Sequence, residues 1–309
     1  PLTLENFLNF YQLDPRTFYR HRHLPSLASA RAKLQNLPSE VDPEFEDTMH
    51  KAFVRFSVTD SKDWIRFLLN ILPRLRELDV MQLSLREQRM MQMFHITIWE
   101  TGVQDWHDPV VREHLRQLAE CETLRNELAD LLRYRLDKID FISEPLDIGV
   151  PDCPLELHCR YTRDQLFVAL DHLNPGNIRE GVKWLPEKQL DVFLVTLKKA
   201  EKDYSPSTLY QDYAINETLF HWQSQSTTSE TSITGQRYIH HQEQGTQILF
   251  FARETKTDTI NSQSAAAYIC LGTAHYVKHE GSRPMSITWE LDAPIPARFL
   301  KEARKLLAG

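Results

Sequence analysis

The residues best suited to chemistry lie between Thr218 and Tyr238, TLFHWQSQSTTSETSITGQRY, where aromatics, amides, hydroxyls and one arginine crowd into a short segment. Amides and hydroxyls both donate and accept hydrogen bonds, and aromatic rings offer flat faces for stacking. Arg237 carries a guanidinium fork that fits a phosphate or a base edge. Together these side chains suit a surface that reads a nucleotide.

Period-2 geometry divides the segment. If Thr218 to Gln225 is a strand, Phe220, Trp222 and Ser224 point one way and Leu219, His221, Gln223 and Gln225 the other. The first set is expected to build the core, with Trp222 either inside it or forming the wall of a pocket. Gln223 and Gln225 are expected to face a base edge. Ser226 to Gly235 reads as a long loop. Upstream, Lys198, Lys199 and Lys202 form a basic run that leads into Tyr210, Asp212 and Tyr213. That run would add phosphate contacts, stacking rings and a carboxylate able to accept from the exocyclic amine of cytosine. The candidate base pocket is therefore Tyr210, Asp212, Tyr213, Trp222, Gln223, Gln225 and Tyr238. The candidate backbone contacts are Lys198, Lys199, Lys202, Thr227, Arg237 and Arg283.

Other chemistries fit less well. His221, His240, His241, His275 and His279 cluster in the C-terminal half, with Cys153 and Cys159 nearby in sequence. No C-x2-C or H-E-x-x-H spacing joins them, so hydrogen-bonded or solvent-facing strand histidines are expected rather than a metal site. No G-x-S-x-G elbow, Walker A loop or deaminase H-x-E with P-C-x-x-C is present, and no active site is expected.

The elements that must position these residues fall into two parts. A chain of 309 residues suggests about two domains. Only Gly102 and Gly149 lie in the first 150 residues, and the other seven glycines follow, which places a boundary near Pro145 to Pro154. The expected domains are a helical connector over 1–148 and a β-barrel over 149–309. Net charge is −7, with 19 basic against 24 acidic residues before residue 151 and 17 against 19 after it. This counts against a binder that works mainly through phosphates and requires a local patch with base-directed contacts. Cys121, Cys153, Cys159 and Cys270 are sparse and irregularly spaced, as reduced thiols of a cytoplasmic protein are. No signal-peptide pattern and no apolar run of membrane-spanning length appears, and the chain starts at Pro1 without a methionine, as a piece of something longer would.

From Leu4 to about Phe141 apolar residues recur at three and four, predicting about seven helices in a bundle. Asp14-Pro15, Asp42-Pro43 and Asp108-Pro109 mark helix starts, and Ser84 with Glu87 makes a capping box. The aromatics Phe7, Phe10, Phe53, Phe56 and Trp99 are expected in the core. After Pro154 the period changes. A short helix follows Thr162, and strands are expected over 191–198, 218–225, 246–253, 267–279 (with a bulge at Gly272) and 285–291, then a final helix over 296–307. The fold class is α+β: an all-α bundle followed by a small mixed β-barrel with flanking helices.

Two long strings carry a resemblance. Arg179 to His241, with FVTLxKxEKDYSPxTxYxDYxIxxTLFHWQSQ (Leu194 standing where Phe is expected) and GQRYIxH, and Tyr268 to Leu291, YICLGTAHYVKHEGSRPMSITWEL, are similar to the domain of unknown function at the C-terminus of bacterial superfamily 2 helicases. The resemblance spans roughly residues 155 to 295. In that family the domain follows a phospholipase D-like nuclease and two helicase lobes, as in ATP-dependent, modification-dependent (type IV) restriction enzymes of the SauUSI kind. The resemblance implies a region that binds double-stranded DNA and recognises 5-methylcytosine or 5-hydroxymethylcytosine, by analogy with SRA and PUA-like barrels through base flipping. It implies partners in the helicase and nuclease domains of the same polypeptide, a bacterial cytoplasmic setting, no cofactor in these residues, and ATP and Mg in the parent enzyme. The alternative reading is a scaffold or regulatory module of a helicase that does not touch DNA.

Overall fold

Short polar side chains start most helices of the first part of the chain. Thr3, Asp14, Ser26, Asp42, Ser61, Ser84 and Asp108 each accept from a backbone N–H in the first turn, and proline stands at N1 after each of the three aspartates. Ser84 and Glu87 close the reciprocal capping box. The computed structural model describes residues 3–179, 181–197 and 212–304.

Two compact units interleave in sequence: one of residues 1–145, 152–177 and 259–267, the other of 146–151, 178–258 and 268–309. In the first unit the helices are α1 (Leu4–Tyr11), α2 (Pro15–Phe18), α3 (Leu27–Gln35), α4 (Pro43–Phe56), α5 (Lys62–Ile71), α6 (Leu85–Trp99), α7 (Pro109–Glu120), α8 (Glu122–Lys138) and α9 (Arg163–Ala169). Short strands β1 (Glu144–Pro145), β2 (Glu156–Leu157) and β3 (Arg160–Tyr161) precede α9. Helix α6 is central, since every residue from Arg89 to Ile98 is buried. Phe53, Phe56, Trp64 and Phe94 fill the interior, and Trp64 Nε1 donates to Met90 O at 3.2 Å. The expectation that the helical aromatics are core holds for Phe53 and Phe56. It fails for Phe10, which is 80% exposed: α1 docks through Leu4 and Leu8, which leaves Phe10 on the outer side.

The second unit carries β4 (Val182–Leu185), β5 (Leu190–Thr196), β6 (Tyr213–Ala214), β7 (Leu219–Gln223), α10 (Ile233–Ile239), α11 (His241–Gln244), β8 (Gln247–Arg253), β9 (Tyr268–Glu280), β10 (Ser286–Leu291) and α12 (Ala297–Arg304). Its strands run in the order β4-β5-β8-β9-β10-β7-β6. Among the described neighbours of this order β5 and β8 pair parallel and the others antiparallel. Gly272, at φ 84°, stands at the register shift where Phe250 faces it and Phe251 faces Cys270, the bulge its glycine predicts.

The sheet is open, which corrects the expected barrel and its SRA- and PUA-like analogy. Strands β4 and β6 stand at opposite ends of the order and no ladder among the described residues joins them. Closure is unnecessary because helices cover the apolar face: Tyr238 of α10 and Phe299 of α12 pack with Phe193, Phe220, Phe250 and Trp289 into one cluster. A second correction concerns the expected loop from Ser226 to Gly235. It ends at Ser232, whose hydroxyl caps α10 by accepting from Gly235 N–H at 3.0 Å.

Candidate nucleic-acid interface

Strand β7 alternates as its sequence requires. Phe220 and Trp222 are buried, and Leu219, His221 and Gln223 are half-buried on the other face. Pairing builds outward from that second face. Tyr213 of β6 stands opposite His221, and the two rings stack at 4.7 Å and 11°. On the other side, β10 places Thr288 opposite His221 and Ser286 opposite Gln223, and β9 places Lys278 opposite Thr288. The result is a stacked aromatic pair flanked by an amide, two hydroxyls and an ammonium on one side of the sheet.

Asp212 fixes the edge of this face. Its Oδ1 accepts from Gln223 N–H at 2.9 Å, joining the start of β6 to the end of β7. At the same end of the sheet the chain turns at Gln225, whose Oε1 accepts from Thr228 Oγ1 at 3.3 Å and whose carbonyl accepts from Thr228 N–H at 3.0 Å. Thr227 is exposed on this turn. The β9–β10 connection is held against it: Arg283 N–H donates to Thr228 O at 3.1 Å, Ser224 N–H to Met285 O at 2.9 Å, and Met285 N–H to Ser224 Oγ at 2.8 Å. These bonds gather Gln225, Thr227 and the exposed Arg283 at one end of the polar face.

Three candidates are used elsewhere. Trp222 is 4% exposed and stacks on Phe193 at 4.2 Å and 12°, while Tyr238 is fully buried edge-on to both rings. They are core rings rather than walls of a pocket, because α10 seals that face of the sheet. Arg237 is not a phosphate contact either. Its Nε donates to Asp191 Oδ2 at 2.7 Å and its Nη2 to Oδ1 at 3.0 Å, and the guanidinium lies 4.1 Å over the Trp184 ring. Asp191 is fully buried on β5, where burial pushes its carboxyl up against the pull of Arg237. The fork that could grip a ligand is filled by a carboxylate that needs it. Lys198, Lys199, Lys202 and Tyr210 lie outside the described residues.

Sequence reasoning missed the groove beside this ion pair, a volume of about 580 Å³ lined by Trp184, Gln189, Ile233, Gln236 and Arg237 among others. Ile233 stands there 87% exposed. Its signal was the tryptophan of an edge strand too short to register as one.

The histidines are held by hydrogen bonds. His241 Nε2 accepts from Tyr276 N–H at 3.1 Å, so its Nδ1–H donates to Thr246 O at 3.2 Å, and burial lowers its pKa and keeps it neutral. His275 pairs with Asp292 at 2.6 Å, and His279 contacts the Tyr276 hydroxyl at 2.6 Å and Glu230 at 3.2 Å. Among the described residues no three His, Cys, Asp or Glu side chains group as a metal site. The cysteines are free thiols, and burial pushes Cys153 up to about 11. No described helix is long and apolar enough to cross a membrane.

Comparison with curated proteins returns no match to this chain. Residues 155–303, which include every strand of the open sheet, match the family described as Domain of unknown function (DUF3427).

Proposed function

We propose that the DUF3427 domain is the DNA-recognition region of an ATP-dependent type IV restriction enzyme, binding duplex DNA that carries 5-methylcytosine or 5-hydroxymethylcytosine. The observation that carries this reading is the stacked pair Tyr213–His221 beside Gln223, on the face of β7 opposite the core rings. Aromatic faces hold an extruded base, and an amide donates and accepts along its edge. Arg283 and Thr227, gathered at the end of that face, would take phosphates. The two long strings that resemble the helicase-associated domain supply the biological setting. In that setting these residues have no active site of their own, and cutting, ATP and magnesium belong to nuclease and helicase domains of a bacterial cytoplasmic enzyme.

Without Trp222, Tyr238 and Arg237, an extruded base would stack on Tyr213 and His221 and meet Gln223. Discrimination of one methyl group there is modest, about 1–3 kcal/mol. The capture of Arg237 by Asp191 and of two candidate rings by the core favours the second reading, a helicase scaffold without DNA contact.

Gel-shift titration of the chain on methylated and unmethylated duplexes, repeated at two salt concentrations, separates the two. Methyl-dependent binding that Tyr213→Ala and Gln223→Ala weaken, with melting temperature unchanged, is expected. Equal and negligible binding to both duplexes would leave the scaffold.

A further inference from the structure

The chain has a net charge of −7, yet from Pro15 to Ser39 it contains no Asp or Glu and holds four arginines, one lysine and two histidines. In the first unit this segment forms α2, the turn after it, and α3. Arg20, His21, Arg22 and His23 are exposed on the turn, and Arg31 and Lys33 are exposed on α3. Among the described residues Arg20, Arg31 and Lys33 form no ion pair. Arg16 is paired with Asp14 at 2.9 Å, and Arg22 donates to the Gln263 amide oxygen at 3.1 Å. Asp47, a carboxylate that feels the charge of Arg22, is already held by Lys51 at 2.8 Å.

Exposed rings lead to this basic turn. Phe10 is 80% and Tyr11 59% exposed, with centroids 5.0 Å apart. Phe7 continues the row, 4.9 Å from Tyr11 and 5.6 Å from Phe18, and Phe18 is two residues before Arg20. Leu4 and Leu8 already dock α1 fully buried, so the fold gains little from Phe10 and Tyr11.

We infer that this basic segment of the helical unit binds a nucleic-acid strand, with its arginines taking backbone phosphates and Phe10 and Tyr11, whose row of rings leads to the turn, stacking on unpaired bases. Arginine outnumbers lysine four to one in the segment, as fork recognition of phosphate favours. The neighbouring rings add the sequence-tolerant stacking of single-strand binders. An anionic membrane is the poorer fit, because α1, LENFLNFY, has no basic residue and carries Glu5, unlike a basic amphipathic interfacial helix. The contact lies outside residues 155–303 and reads no modification, so it holds or fails independently of the modified-base reading.

The test is a fluorescence-anisotropy titration of the full chain with a labelled duplex, the same duplex carrying 5-methylcytosine, and oligo(dT), at about 50 and about 200 mM salt. Arg20→Ala/Arg22→Ala is expected to weaken all three roughly tenfold at the lower salt and to flatten the slope of log affinity against log salt by roughly 2. Any preference for the methylated duplex should be unchanged. Phe10→Ala should weaken oligo(dT) roughly fivefold or more and spare both duplexes. Arg31→Glu/Lys33→Glu is an independent second variant, and circular-dichroism melts confirm folding. Unchanged affinity and slope in both folded charge variants overturns the inference, as does failure of the wild type to bind any probe. Charge-dependent binding to phosphatidylserine vesicles without nucleic-acid binding reassigns the segment to a membrane and also overturns it. Equal affinity for the two duplexes, with the charge effect retained, sinks only the modified-base reading.

Discussion

The indole of Trp222 lies 4.2 Å from the ring of Phe193 and within 12° of parallel, which joins β7 to β5 across strands that are not neighbours in the sheet. Stacking at this distance ties the far end of the sheet to its parallel pair under α10. Trp222→Ala therefore removes a buried ring and leaves a cavity, and is expected to cost about 3–5 kcal/mol. Gln223→Ala, one residue along on the half-buried face, should stay within about 0.5 kcal/mol. Urea denaturation of the two variants measures the contrast. Similar losses for both would mean that β7 does not divide into a core face and an open face.

Arg237→Ala leaves the Asp191 carboxylate buried without its counter-ion, which costs about 3–5 kcal/mol. The sign of its pH dependence follows from burial. The folded-state pKa of Asp191 is already raised, and loss of Arg237 raises it further, so the stability this group contributes is present at low pH and lost as pH rises through that folded value. Chemical denaturation should find the variant closer to wild type in acid than at neutral pH. A deficit that grows on acidification would contradict this account.

Local rules made most of the second unit legible. All five expected strands form within about two residues of their predicted ends, and Gly272 makes its bulge, because period-2 patterning and glycine conformation are properties of the strand itself. Closure was not legible: the sheet curls far enough for Phe193 of β5 to stack on Trp222 of β7, and whether its end strands then meet depends on partners distant in sequence. Helix α10 escaped because Gly235 and the polar run before it imitate a loop. The candidate site divided along the same line. Alternation placed Gln223 and Trp222 on opposite faces correctly, whereas the capture of Arg237 by Asp191 joins residues 46 apart and has no local signature.

Gly235 opposes two effects whose sizes decide the outcome. Replacing a helical glycine by alanine ordinarily gains about 1 kcal/mol. Here a Cβ would stand 1.9 Å from the carbonyl oxygen of Ser229, a backbone atom fixed by the Ser232 N–H that donates to it at 3.1 Å. Backbone cannot rotate aside as a side chain can, so the clash outweighs the gain. Gly235→Ala should lower the melting temperature, and a variant as stable as wild type would show that the loop before α10 gives way.

Two buried groups in the first unit work against each other on acidification. Glu127 accepts from the Tyr19 hydroxyl at 2.8 Å and from Leu27 N–H at 2.8 Å, and burial pushes its carboxyl from 4.5 up to about 7. Its contribution is full below the unfolded value and is lost as pH rises through about 7. Burial holds His95 near 4 against an ordinary 6.5, so its contribution is full above 6.5 and is lost as pH falls through about 4. Each shift is worth roughly 3 kcal/mol, and between pH 4.5 and 6.5 the two slopes oppose. Glu127→Gln keeps an acceptor for Leu27 N–H but no longer titrates, so the slope of His95 stands uncompensated. Urea denaturation at pH 7 and pH 4.5 should show the variant losing roughly 3 kcal/mol more than wild type on acidification. Parallel pH profiles for the two proteins would place the Glu127 carboxyl in the ordinary range despite its burial.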